Sequence, residues 1–284
     1  MVIKRVGVLG SGIMGSGLAE VAAKAGCEVI VRSRSHASAD ALLAGLARNL
    51  DRQVAKGKLT ADEQSDVLGR VSATDQLDAL VECDLVIESV VEDLAIKKAL
   101  FAELEHVVQP DAVFASNTST LPIVELAVQT QRPDRVCGLH FFNPAPVMRL
   151  VEIVRPITAS DQTIESVRVF AIACQKEPVE VADRAGFVVN ALLFPYLNNA
   201  VRMLESGTAS MEGIDTAMQG GCNFPMGPFA LLDLVGLDTS LSILDALYDE
   251  FRDPNYAAVP LLRRMVTAGR LGRKSGQGFY SYAS

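Results

Sequence analysis

A glycine-rich turn near the N-terminus constrains the fold more than any other feature of this sequence. Residues 10–15 read GSGIMG, the pattern G-x-G-x-x-G, between a β-branched run at 3–9 and a helical stretch at 13–25. An apolar run at 27–32 completes a strand–turn–helix–strand unit of about 30 residues. In such a unit the glycines permit the tight turn, the approach of a pyrophosphate and the packing of helix on strand.

The turn therefore predicts a dinucleotide-binding α/β domain, in which the helix N-terminus offers backbone N–H groups to the phosphates. A purely structural glycine turn is the alternative. The residues predicted to bind the cofactor here are Gly10, Gly12, Ile13, Met14 and Gly15.

The position that distinguishes the two nicotinamide dinucleotides carries no acidic residue. A fold of this kind that prefers NAD has an Asp or Glu at the end of the second strand, where it binds the ribose 2′-hydroxyl. Ser33 occupies that position, between Arg32 and Arg34. An arginine pairs well with a 2′-phosphate, and the hydroxyls of Ser33 and Ser35 can donate hydrogen bonds to it. The sequence therefore predicts NADP(H), with Ser33 and Arg34 as cofactor-binding residues; solvated arginines and NAD(H) are the alternative.

The pattern of apolar segments divides the chain into two parts. Strand-like runs recur up to residue 181, interrupted at 39–69 by a polar, alanine-rich excursion that we interpret as a helix pair. Beyond residue 184 the strand signals stop, and glycines separate a series of predicted helices. We therefore expect a doubly wound, Rossmann-type sheet domain at 1–184, followed by an all-α domain at 185–284.

Composition and charge narrow the class of protein. A net charge of −8 disfavours a nucleic-acid surface, which needs a basic excess or stripe. The five cysteines contain no C-x-x-C pair, which suggests neither a disulfide framework nor a zinc site and fits a reducing compartment. No apolar run reaches the length of a membrane span. We expect a cytoplasmic protein with no metal and with no nucleic-acid or membrane partner.

Of the three histidines, His140 is the candidate for chemistry. It ends an apolar run, and ligands bind at the carboxyl ends of the strands in open α/β sheets. Glu152 lies in a second apolar run, where a carboxylate needs a partner. An imidazole that takes a hydroxyl proton, held by a carboxylate, suits the oxidation of an alcohol by hydride transfer. A structural core histidine is the alternative that the residues alone leave open.

Five segments together resemble the 3-hydroxyacyl-CoA dehydrogenase family. Besides the glycine-rich turn they are SNTS at 116–119, HFFNP at 140–144, GFVVN at 186–190 and GQGFY at 276–280. The motifs occur in the family's order and span nearly the whole chain, and HFFNP is highly specific. Within the family, the chain is most similar to the single-function 3-hydroxybutyryl-CoA dehydrogenases.

The resemblance implies roles for the catalytic residues. His140 is the general base in oxidation and the acid in reduction, and Glu152 orients it. Ser119 is similar to the serine that contacts the substrate oxygen and the histidine. Asn190 matches the asparagine that helps to hold the substrate carbonyl region, and Asn143 lies beside the site as a further substrate contact. A helix cap for Ser119 and a helix-interior role for Asn190 are the alternatives.

The resemblance also implies cofactor and coenzyme A contacts. Glu92 and Lys97 match residues near the nicotinamide ribose, and Asn117 matches a cofactor contact, although a helix cap is the alternative for Asn117. Lys56, in a basic stretch with Arg52 and Lys58, matches the region that binds the coenzyme A phosphates. A solvated helix face is the alternative for these charges.

The resemblance further implies an acyl-CoA substrate, most simply 3-hydroxybutyryl-CoA. The apolar C-terminal helices would serve as a substrate and dimerisation domain in a homodimer. The alternatives are another acyl chain, a carrier-protein thioester, or a nucleotide-binding relative without catalysis. A lysine-dependent hydroxyacid dehydrogenase has no need of the His140 and Glu152 pair.

Overall fold

The computed structural model describes residues 2–282. Its strands in chain order are β1 (Arg5–Leu9), β2 (Glu28–Arg32), β3 (Val71–Thr74), β4 (Leu85–Glu88), β5 (Val113–Ser116), β6 (Val136–Phe141), β7 (Leu150–Arg155) and β8 (Glu177–Ala182). Its α-helices are α1 (Ile13–Lys24), α2 (His36–Ala55), α3 (Ala61–Gly69), α4 (Leu94–Val107), α5 (Ile123–Ala127), α6 (Asp161–Ala173), α7 (Val189–Glu205), α8 (Met211–Cys222), α9 (Pro228–Val235), α10 (Leu237–Phe251) and α11 (Pro260–Thr267).

The strands form a single sheet with the order β3-β2-β1-β4-β5-β6-β7-β8. All neighbouring pairs are parallel except β6 and β7, which are antiparallel. The strand order reverses at β1, which lies between β2 and β4. Ligands of doubly wound sheets bind at such a reversal, beyond the carboxyl ends of the strands. The predicted fold class, a Rossmann-type sheet followed by helices, is confirmed.

The central strands of the sheet are buried on both faces. Every residue of β4, β5 and β6 is buried, as expected for apolar runs covered by helices on either side. Strand β3, with the sequence VSAT, is an edge strand that the apolar pattern does not predict. The predicted helix pair is α2 and α3. Helix α2 begins at His36, earlier than predicted, because Ser35 and Ser38 form a capping box at its N-terminus.

The chain divides into two compact units between Asp183 and Arg184, one residue before the predicted boundary. The second unit contains α7–α11 around its own apolar core. Helix α7 begins only at Val189 because Gly186 and Phe187 both have positive φ, at 72° and 48°. The roles predicted for the two parts stay predictions. Within residues 2–282, none of the helices has the length and apolar character needed to span a bilayer.

Candidate active site

The glycine-rich turn joins β1 to α1 at the reversal of the sheet. Gly10 has φ +112°, and a Cβ there would lie 2.4 Å from the backbone oxygen of Ser89. A Cβ on Gly15 would lie 1.9 Å from the Gly10 oxygen, so both positions require glycine. At Gly12, by contrast, nothing among the described residues lies within 4 Å of the place a Cβ would take, which leaves room for a phosphate.

The N-terminus of α1 is suited to an anion. Gly12 is the N-cap residue and makes no side-chain cap, and the first turn holds no acidic residue. The first two helical residues are Ile13, whose side chain is exposed, and Met14, which packs against the core. Uncapped N–H groups with the positive end of the helix dipole favour a phosphate here. These residues fit a dinucleotide.

The end of β2 offers an unpartnered hydroxyl. Ser33 is 1% exposed, and its Oγ has no hydrogen-bond partner among the described residues. Such an atom is costly to bury unless a ligand satisfies it. Arg34 is exposed, whereas Arg32 donates through Nε to the Asp75 backbone oxygen at 3.3 Å. The Ser35 hydroxyl accepts a hydrogen bond within the α2 capping box. The residues therefore fit an adenosine ribose or its phosphate.

The antiparallel pairing of β6 and β7 brings His140 and Glu152 together. The two residues are directly opposite each other in the register, so their side chains share one face of the sheet. His140 Nδ1 lies 2.7 Å from Glu152 Oε2, and the two residues are 4% and 1% exposed. Because a carboxylate only accepts, Nδ1 carries a proton and Nε2 can accept one. The Phe142 ring packs against the imidazole, with ring centroids 4.4 Å apart.

Ser119 lies on the Nε2 side of this imidazole. Its Oγ is 3.2 Å from His140 Nε2, and its backbone N–H donates to Glu92 Oε1 at 3.0 Å. Ser119 follows β5 and Glu92 follows β4, so the ends of three neighbouring strands meet at one edge. The arrangement can pass a proton between a bound alcohol oxygen and the imidazole, with the carboxylate balancing the charge.

Lys97 is enclosed by carboxylates. It is 1% exposed, and Nζ donates to both Glu88 oxygens at 2.7 and 2.8 Å and lies 3.1 Å from Glu92 Oε2. Glu88, which the sequence reasoning missed, is 0% exposed and also accepts from Ser116 Oγ at 2.6 Å. The sequence does contain a signal for Glu88, because a carboxylate at the end of an apolar run needs a partner, just as Glu152 does.

Asn117 joins the strands rather than capping a helix. Its backbone N–H donates to the Glu88 backbone oxygen at 2.8 Å, and its Oδ1 accepts from the Phe141 N–H at 2.8 Å. The first N–H groups of α5, at Ile123 and Val124, donate instead to the Asp183 carboxylate at 2.9 and 2.8 Å. The helix-capping alternative for Asn117 and Ser119 is therefore wrong.

The other predicted residues stand on different segments of the chain. Asn143 is exposed in the loop after β6. Lys56 is exposed at the C-terminal end of α2. Asn190 is 7% exposed in the first turn of α7, within the second unit. The first unit thus brings together Ser119, His140, Glu152 and Glu92.

Comparisons with known proteins show the family to which the chain belongs. The 3-hydroxyacyl-CoA dehydrogenase NAD binding domain matches residues 5–184, and the C-terminal domain of the same family matches 186–282. The 3-hydroxybutyryl-CoA dehydrogenase of Mycobacterium tuberculosis is 50% identical over 282 residues, which cover 99% of each chain. The crystal structure of M. tuberculosis FadB2 superimposes with a TM-score of 0.97, at 50% identity and full coverage of both chains.

A second solved structure leads to the same family. The (S)-3-hydroxybutyryl-CoA dehydrogenase PaaH1 of Ralstonia eutropha has a TM-score of 0.97 at 42% identity, covering 99% of this chain and 100% of its own. Sequence and fold therefore agree over the whole length. The chain belongs to the 3-hydroxyacyl-CoA dehydrogenase family of nicotinamide-dependent oxidoreductases.

Proposed function

We propose that the protein interconverts a short-chain 3-hydroxyacyl-CoA and the 3-ketoacyl-CoA, with 3-hydroxybutyryl-CoA as its substrate and NADP(H) as the preferred cofactor. The observation that carries the proposal is the hydrogen-bonded chain from Ser119 through His140 to Glu152. The bound nicotinamide supplies the hydride chemistry at the substrate C3. The 3-hydroxybutyryl-CoA dehydrogenases that match the whole chain support the substrate.

In oxidation, His140 Nε2 takes the proton of the 3-hydroxyl as C3 loses a hydride and becomes a carbonyl carbon. The Glu152 carboxylate, hydrogen-bonded to Nδ1, stabilises the imidazolium that forms. The Ser119 hydroxyl contacts the same substrate oxygen and orients it. In reduction the imidazolium returns the proton to that oxygen as hydride reaches C3.

The predicted contacts outside this chain complete the proposal. Asn190 and Asn143 would hold the thioester and carbonyl region, and Asn117 would line the cofactor site. The preference for NADP(H) is supported by the unpartnered Ser33 hydroxyl and the exposed Arg34 guanidinium. No carboxylate occupies the Ser33 position to repel a 2′-phosphate.

We propose a dinucleotide-binding role for residues 1–184 and a substrate-binding and dimerisation role for 185–284. Exposed apolar side chains in the second unit support a homodimer; they include Leu192, Met203 and Leu234. The free cysteines support the predicted cytoplasmic location, where thiols stay reduced.

The test is a turnover assay with 3-ketoacyl-CoA substrates of increasing chain length, each with NADPH and with NADH. We expect the highest kcat/KM for acetoacetyl-CoA with NADPH. A higher efficiency with a longer chain or with a carrier-protein thioester would move the substrate assignment. Binding of dinucleotide without turnover of any thioester would instead favour a non-catalytic relative.

Replacing Lys56 with Ala is expected to raise KM for acetoacetyl-CoA about three- to tenfold, because an exposed ammonium near a phosphate contributes a screened attraction. KM for acetoacetyl-pantetheine, which lacks the nucleotide phosphates, should not change. The salt dependence of KM for the coenzyme A thioester should weaken in parallel. Lys4→Ala, which removes an exposed lysine just before β1, is the matched control. An equal change in KM for both thioesters would contradict the phosphate contact.

A further inference from the structure

We propose that the buried Glu88–Lys97 pair fixes the net charge beside the nicotinamide and positions the neighbouring residues. The pair thereby sets the relative affinity of the protein for the oxidised and the reduced cofactor. The inference rests on the proposed function, because it requires a nicotinamide at the strand edge that holds Glu92 and Ser119. It adds Glu88, which has no role in the proposed mechanism, to Lys97, which the resemblance places near the nicotinamide ribose.

The position of the pair argues for a role beyond stability. Glu88 and Lys97 are 0% and 1% exposed, and the loss of hydration offsets most of the attraction between two charges buried so deeply. A buried ion pair is therefore weak grounds for stability. This pair begins at the carboxyl end of β4, next to the strand where the sheet order reverses. That is where doubly wound sheets bind their ligands.

The carboxylate of Glu88 holds two chain segments at this edge. One oxygen accepts from the Val90 N–H at 2.6 Å, and the other accepts from Ser116 Oγ at 2.6 Å. Ser116 Oγ in turn accepts from the Thr118 N–H at 3.2 Å. Glu88 thereby fixes both the segment that carries Glu92 and the segment that carries Ser119.

Lys97 connects this anchor to the proposed catalytic group. Its Nζ, already bonded to both Glu88 oxygens, also reaches Glu92 Oε2 at 3.1 Å. The other Glu92 oxygen accepts hydrogen bonds from the Ser119 N–H, at 3.0 Å, and from the Thr118 hydroxyl. With three carboxylate oxygens around it, the ammonium is enclosed. Lys97 therefore links Glu88 to Glu92, near the place where the family resemblance puts the nicotinamide ribose.

The formal charges give the unit a specific effect. Two carboxylates and one ammonium leave a net charge of −1 at this corner. An oxidised nicotinamide ring carries a positive charge and a reduced ring carries none. A negative corner therefore favours the oxidised cofactor, and Lys97 limits that preference by offsetting one carboxylate.

The test measures Kd of both redox forms of the cofactor for the wild type and for Glu88→Gln and Lys97→Met, by calorimetry and by fluorescence of the reduced form. Glu88→Gln brings the corner to 0, so the ratio of Kd for the oxidised form to Kd for the reduced form should rise about three- to tenfold. Lys97→Met brings it to −2, so the ratio should fall by a similar factor. The double variant restores −1 and should return the ratio to the wild-type value.

The opposite shifts expected in the Kd ratio distinguish an effect of charge from a loss of structure. Both single variants break the contacts between Glu88 and Lys97. Loss of structure alone would weaken the binding of both redox forms, so the ratio would stay unchanged or would shift in the same direction in both variants. That result would overturn the proposal. If Lys97→Met fails to fold, Lys97→Gln makes the same change in charge and keeps a hydrogen-bond donor.

The matched control is Glu105→Gln, which breaks a comparable pair with Arg132, at 3.1 Å, near the other end of α4. It should lower stability and leave the Kd ratio unchanged. The measurement uses NADP(H) or NAD(H), whichever the wild type binds, so a wrong cofactor preference does not affect it. Failure of the proposed function would be visible separately, as a wild-type protein that binds no dinucleotide or turns over no thioester.

Discussion

A His140→Gln variant is expected to lose kcat by about 10²- to 10⁴-fold, because no other group in the proposed site can take the hydroxyl proton from the position of Nε2. The amide keeps much of the shape of the imidazole and can still bond to Glu152, so the fold should survive. Kd for the reduced cofactor, measured by its fluorescence, should stay within about twofold of the wild-type value, since the imidazole enters the mechanism only at the reacting oxygen.

Two further variants locate the effect. Glu152→Gln keeps a hydrogen-bond acceptor for Nδ1 but removes the charge that stabilises the imidazolium, so kcat should fall while the fold is kept. His106→Gln, at an exposed position on α4, is the matched control and should retain wild-type turnover. Substantial turnover by His140→Gln would leave this imidazole as a structural core residue and remove the basis of the proposed mechanism.

The sequence predicts most of this fold because the central strands of the sheet are buried on both faces. Runs such as those of β4 and β6 are apolar throughout, and their flanking segments have helical patterns, so the alternation of strand and helix is visible in one dimension. The apolar pattern does not predict strand β3, because an edge strand of four residues, with Ser72 and Thr74, needs no apolar face. Its pairing with β2 comes from the neighbouring backbone, which a local pattern does not contain.

Strand pairing also limits how much of the candidate site the sequence can predict. A carboxylate in an apolar run indicates that a partner is present, but it does not identify that partner. For Glu152 the partner could be inferred because a single histidine ends the neighbouring run. For Glu88 the partners are Lys97, nine residues on, and Ser116, across a strand pair. Only the parallel register of β4 and β5 brings Ser116 opposite Glu88.

A Ser33→Asp variant is expected to reverse the cofactor preference, with kcat/KM for NADPH falling about 100-fold and kcat/KM for NADH rising. The new carboxylate would repel a 2′-phosphate, whereas it would accept hydrogen bonds from a free ribose 2′-hydroxyl. Ser33 is buried and its hydroxyl lacks a partner among the described residues, so the new carboxylate would be left unpaired in the free protein. The melting temperature of the free variant should therefore drop, and NADH should restore it more than NADPH does.

The Arg34→Ala variant separates attraction from repulsion at the same position. Losing an exposed guanidinium should cost about tenfold in kcat/KM for NADPH and leave NADH unaffected, because only the phosphorylated ribose gives this side chain a partner. Arg149→Ala, at an exposed position before β7, is the control and should change neither value. An equal fall in kcat/KM for both cofactors in Ser33→Asp, or a higher kcat/KM for NADH in the wild type, would contradict the predicted NADP(H) preference. The end of β2 would then accept NAD(H). Arg32 and Arg34 would then form a solvated edge of the sheet, because no phosphate binds there to pair with their charge.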